Sequence, residues 1–245
     1  MTSIYIEKSI ELLVCSYGGT GTTMLIRFLS DYFRCNSEDD GDGLKHTDKI
    51  PVSRNKDLKL IYLYGDPIDA VYSLFRREFF NLHSRKLLRS YPKLAPIAVG
   101  TTLPAYAEEG VDRLKFQQHF DNWYKRDQFF PVLFIKYERL WENLPILFEY
   151  LGIPTDQIDR FPKKRAREIK QLEVATITQN NLSDLYGEFA QRLATYSATI
   201  ILQPKRTLEQ HRMELVKSVM PYLFAKSKAI AKGVLPHRVV SAIRN

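Results

Sequence analysis

The sequence predicts an α/β fold, a three-layer sandwich in which helices flank a parallel sheet, with a helical C-terminal extension. Three observations predict it. Short apolar runs at 12–15, 58–64 and 132–136 have the length of buried strands. Amphipathic helical spacing separates them, as crossovers between parallel strands require. The first run passes through a glycine-rich turn, 16–21, straight into helical spacing, which sets a loop at the carboxyl edge of its strand.

Composition bounds the class of protein. A chain of 245 residues holds one large α/β domain or a domain with an appendage. Its 44% hydrophobic and 26% charged residues are those of a globular protein in water. Two cysteines, Cys15 and Cys35, exclude a disulfide framework. No apolar run spans a bilayer and no signal-type segment opens the sequence, so a cytoplasmic protein is expected. The net charge of +8 favours anionic ligands. It is concentrated at 76–93, with six Lys/Arg against one acid, and at 163–170, with five against one. Each cluster reads equally as a solvated basic face, and no nucleic-acid module pattern accompanies either.

In chain order, residues 1–9 read as a lead-in to the first strand. After the turn, Met24, Leu25, Phe28, Leu29 and Tyr32 recur at three- and four-residue spacing and predict a helix over 22–34. The turn itself is a phosphate cradle. Glycines let backbone amides approach a ligand, the helix opening adds N–H groups and partial positive charge, and Thr20, Thr22 and Thr23 add hydroxyls at the same mouth. Candidate anion-binding residues are therefore Gly18, Gly19, Thr20, Gly21, Thr22 and Thr23. A glycine turn that merely reverses the chain is the plain alternative. Against a Walker A loop, Thr22 stands at the lysine position, which disfavours an ATPase or a kinase-like phosphotransferase.

An acidic, glycine-broken surface loop over 36–43 precedes His46, a base near neutrality by its chemistry, or a plain loop histidine. The strand at 58–64 runs into Gly65-Asp66-Pro67, where Pro67 suits a first helical turn and Asp66 an N-cap. Residues 76–104, basic, aromatic and proline-punctuated, read as a substrate-side flap. A helix is expected over 111–127, with His119 packed or capping. After the third strand, Tyr137-Glu138-Arg139 leads into a helix ending near Leu151. A helix over 181–196 carries Leu182, Leu185, Phe189 and Leu193. Beyond Pro204 helices are expected to break near Pro221 and Pro236, giving a main domain at 1–203 and an extension at 204–245 that packs on it or mediates association.

Three of these parts resemble sulfotransferases. Ser16–Thr23 aligns without gaps on S-Y-P-[KR]-S-G-T-T, the 5′-phosphosulfate loop of that family. Asp66, Pro67, Asp69 and Ser73 match R-[ND]-P-x-D-x-x-x-S, its 3′-phosphate motif. The strand ending at Tyr137-Glu138 matches the segment whose tyrosine lies near the adenine. Parts in the right order are far more specific than any one of them. Lys45-His46-Thr47 resembles K-T-H-x-P in a shifted register.

The resemblance implies a P-loop-like fold and sulfuryl transfer from 3′-phosphoadenosine 5′-phosphosulfate to a hydroxyl or amine, without a metal. It implies His46 as base, Ser73 near the 3′-phosphate and Tyr137 near the base, where its ring stacks or merely fills core. The partners implied are the nucleotide sulfate donor and a small-molecule or glycan acceptor. Two family cations are missing: Gly19 stands at the loop Lys/Arg and Gly65 at the arginine of the 3′-phosphate motif. Arg76, Arg77 or the 163–167 cluster are candidates to replace them, and Gly19→Lys is the expected restoration. A non-catalytic nucleotide-binding or interaction protein on the same fold is the other reading.

Overall fold

A computed structural model describes residues 3–164 and 175–231. The elements run β1 (Ser3–Ile6), β2 (Leu12–Cys15), α1 (Thr22–Leu29), β3 (Ile50–Ser53), β4 (Lys59–Tyr64), α2 (Pro67–Arg76) and α3 (Phe80–Leu87). They continue with α4 (Leu103–Glu109), α5 (Phe116–Tyr124), β5 (Val132–Lys136), α6 (Leu144–Leu151), α7 (Thr176–Ala194), β6 (Thr199–Leu202) and α8 (Leu208–Ala231).

The three strands expected from apolar runs form the centre of one sheet, β2-β4-β5, all parallel. β6 closes it antiparallel to β5, so the sheet is parallel with one reversed edge. β1 and β3 pair in parallel as a separate ribbon. Alternation along the strands builds two cores. Leu13, Cys15, Leu60, Tyr62, Tyr64, Val132 and Phe134 face one side, packed under α2, α4, α5 and α7. Leu12, Val14, Ile61, Leu63, Leu133 and Ile135 face the other, under α1 and α6. This is the expected three-layer α/β arrangement of a parallel sheet flanked by helices.

Several boundaries differ from the sequence expectation. α1 ends at Leu29, not Arg34, because the chain turns back to cover the edge of β2. The Asn36 side chain accepts from Val14 N at 2.8 Å and donates to Val14 O at 3.2 Å, while Glu11 N donates to Arg34 O at 2.9 Å. A side-chain amide thus supplies the hydrogen bonds of a missing neighbour strand. The helix expected over 111–127 is confined to Phe116–Tyr124, and α7 starts earlier, at Thr176. α8 runs through Pro221 without ending there, since a proline removes a ladder bond and bends a helix without having to end it. It packs on the ribbon, with Ser3 Oγ donating to Glu214 Oε2 at 3.2 Å. Pro236 and most of the second basic cluster lie outside the described residues.

Candidate active site

The glycine turn lies between the carboxyl end of β2 and the start of α1, and its shape follows from its sequence. Gly18, Gly19 and Gly21 have φ of +102°, +73° and +77°, values that L side chains rarely adopt. Close approach makes glycine necessary as well. A Cβ at position 19 would stand 2.8 Å from the Ala70 backbone of α2, and one at position 21 would overlap the Tyr137 ring. α1 has no side-chain cap and no acid in its first turn, so its opening N–H groups are left to an outside partner, while Glu38 and Asp39 from the loop beyond it also line the mouth.

The hydroxyls divide. Thr22 Oγ1 is 2.6 Å from Ser16 Oγ, and Ser16 Oγ accepts from Gly18 N at 3.0 Å, which braces the turn internally. Thr20 is buried, with its hydroxyl donating to Leu63 O at 3.4 Å. Only Thr23 meets a cation: Lys45 Nζ donates to Thr23 Oγ1 and to Glu38 O, both at 2.6 Å. Burial pulls the Lys45 ammonium below its ordinary pKa, with Asp40 opposing that shift. Tyr17, wholly buried, ties the turn to the end of β4: its hydroxyl accepts from Gly65 N at 2.9 Å and donates to Gly65 O.

A cleft of about 600 Å³ opens over the turn. Gly19, Gly21, Thr22 and Thr23 form its floor; Lys45, His46 and His83 one wall; and Arg77, Phe79, Leu82 and Lys86 the rim. His46 Nδ1 lies 2.8 Å from Ser16 O, and a carbonyl can only accept, so Nδ1 carries the proton and Nε2 the lone pair. Burial, then the neighbouring His83, hold this imidazole well below its ordinary pKa, so it stays neutral. His119 is a core residue, with Nδ1 2.7 Å from the Tyr62 hydroxyl.

The remaining sequence candidates sit close to the turn without lining this cleft. Ser73 is buried on α2, one turn on from the Ala70 that abuts Gly19. The Tyr137 ring covers Gly21. Gly18 is turned under His83. Of the proposed substitute cations, Arg77 reaches the rim, its Nε donating to Ser73 O at 3.0 Å, while residues 165–167 lie outside the described residues. His83 and Lys86 were not among the sequence candidates, and Lys45 stood there only beside His46 in the Lys45-His46-Thr47 match. Lys86 is held by Asp40 at 2.8 Å. The helical spacing of Phe80, His83, Ser84 and Leu87 marks them as one face of α3, the buried one, and carries no sign of a role in the site.

The family profile of the sulfotransferase domain matches residues 43–192. The chain is a member of the sulfotransferase domain family. No curated protein matches it. The matched region includes Lys45, His46, Ser73 and Tyr137 and begins after the glycine turn. Its function is accordingly of the sulfotransferase type, and the domain implies a sulfate donor and an acceptor. Among the described residues there is no cluster of metal-ligating side chains and no helix long and apolar enough to cross a membrane.

Proposed function

We propose that the protein transfers a sulfuryl group from 3′-phosphoadenosine 5′-phosphosulfate to a hydroxyl or amine acceptor in the cleft over 19–23. The observation that carries this reading is the convergence of an uncapped, glycine-formed anion cradle, a buried lysine and a neutral histidine on one cavity. Such a cradle suits the phosphosulfate end of the donor. Gly19, Gly21 and the N–H groups of Thr22 and Thr23 would hold it, braced from behind by Gly18 and Thr20, with Ser73 toward the 3′-phosphate and Tyr137 toward the adenine.

In this reading His46 Nε2 takes the acceptor proton as the acceptor oxygen bonds to sulfur. The bond from sulfur to the bridging oxygen breaks, and its electron pair leaves with the 5′-phosphate. The α1 N-terminus and Lys45 stabilise that growing charge. Lys45 does the work of the cation that position 19 lacks. Phe79 and Leu82, about half exposed at the rim beside His83, support an acceptor with an apolar body.

The test pairs binding with chemistry. Calorimetry with 3′,5′-adenosine diphosphate should show a single site that ATP with magnesium does not compete for. Labelled sulfate should then move from donor to a panel of phenols, alcohols, amines and glycans. Binding without transfer across that panel would favour the second reading, a nucleotide-binding protein without catalysis, which the glycines at 19 and 65 support. Absence of binding at millimolar nucleotide would remove both.

A further inference from the structure

His83 is buried on α3, yet its ring belongs to the transfer cleft. Its Nε2 is 2.7 Å from Tyr17 O, so it donates to the turn one residue along from the carbonyl that His46 holds. The two imidazoles meet edge to face, centroids 4.5 Å apart and planes at 77°. A Cβ at Gly18 would overlap His83 Nε2. The motif S-Y-P-[KR]-S-G-T-T has proline at that place, and proline cannot reach a φ of +102°. In this chain a ring from another element fills the space that a side chain at position 18 would take on this backbone.

We propose that His83 is a positioning residue of the transfer site: it fixes the Gly18–Gly19 turn through the Tyr17 carbonyl and sets the plane of the His46 ring by its edge-on contact. The inference rests on the proposed role of His46 as base. A histidine in this place must stay neutral, because a second cation beside His46 would hinder proton uptake. Burial lowers the pKa of His83 to about 4, with Lys86 and His119 pushing it down and Asp40 and the Tyr17 carbonyl opposing. His46 faces His83, Lys45 and His119, all of which disfavour its charged form.

The experiment compares full-length protein with His83→Leu, which removes the donor and the ring edge, and His83→Gln, which keeps an amide donor. Imidazole ¹⁵N spectra of the ligand-free proteins, recorded across pH, report the His46 tautomer and titration. In His83→Leu the titration of His46 should move by roughly half a unit or more from the parent's, as the ring edge that sets its surroundings is lost. Its population of the Nδ1–H tautomer should fall. Turnover should drop about tenfold to a hundredfold at saturating donor and acceptor. His83→Gln should keep nucleotide affinity within about threefold by holding Tyr17, while still moving the His46 titration. An unchanged His46 tautomer and titration in both variants would overturn the proposal, and His83→Gln supplies this readout should His83→Leu fail to fold. Because the spectra need no turnover, they decide the positioning role even if no acceptor is sulfated, an outcome that counts against the proposed function alone.

Discussion

Lys45 Nζ lies 2.6 Å from Thr23 Oγ1, at the open end of α1. The lysine arrives from the loop between α1 and β3, held by Asp40 Oδ1 accepting from its backbone N–H at 2.9 Å. A positive charge therefore reaches the helix mouth from outside the glycine turn, where a side chain at position 19 has no room. Removing it tests the substitution of one cation for another. Lys45→Met should weaken 3′,5′-adenosine diphosphate binding about tenfold to a hundredfold, the range for a charge-assisted hydrogen bond. Thr23→Val should cost less, and the double variant little more than Lys45→Met, because the pair acts as one unit. Calorimetry on the four proteins measures the coupling; strictly additive losses would mean that Lys45 and Thr23 act independently, and an unchanged affinity in Lys45→Met would separate Lys45 from the site.

The rim predicts a split between donor and acceptor. Phe79 and Leu82 lie 50% and 54% exposed, so truncation costs the protein little of its own packing. Phe79→Ala and Leu82→Ala should each raise the KM for an apolar acceptor about threefold to tenfold. Donor affinity and the KM for a small polar acceptor should stay within about twofold. Equal losses toward both acceptor types would place the acceptor elsewhere.

Much of this was legible because buried strands and cradles carry local signals. The strands β2, β4 and β5 are almost wholly buried, so their apolar runs are unbroken. β1 and β6 were missed because they are short and partly exposed, and β3 because Pro51 interrupts its pattern. The glycines of the turn could be read from type alone, since nothing else adopts their φ. Lys45 and His83 could not. Lys45 meets Thr23 across 22 residues, and His83 meets Tyr17 across 66. Side-chain partners so far apart leave no spacing to recognise, and His83 showed only the helical period of α3.

Buried neutral histidines make stability depend on pH. Burial holds His83 and His119 down to about 4, and His46 well below its ordinary value. Between about pH 6.5 and 4 the unfolded chain takes up protons that the folded chain refuses, so stability is full above 6.5 and falls as pH drops through that window. Each such histidine contributes a slope of about 1.4 kcal/mol per pH unit. His83→Gln should therefore lower overall stability yet flatten the slope by about one proton. Urea midpoints from pH 7 to 4 measure it; a slope equal to that of the parent would mean His83 is charged in the folded protein.

The two missing family cations are not equivalent, and their restoration separates them. At position 19 the φ of +73° and the Ala70 backbone 2.8 Å from a would-be Cβ both oppose any side chain. Gly19→Lys, the restoration that the motif suggests, should lose nucleotide binding and lower Tm by several degrees, since backbone on α2 cannot move aside cheaply. Position 65 differs. Its φ is not in the left-handed region, and the nearest obstacle to a Cβ is Glu138 Oε1 at 2.6 Å, the end of a flexible side chain. Glu138 Oε1 accepts from Asp66 N at 2.9 Å, so moving it costs about one hydrogen bond. Gly65→Arg should fold and bind 3′,5′-adenosine diphosphate about tenfold more tightly, with little gain for 5′-adenosine monophosphate, which has no 3′-phosphate for the new guanidinium to grip. Equal gains for both nucleotides would mean that residue 65 does not face the 3′-phosphate. A gain in Gly19→Lys would mean that the turn can open away from α2.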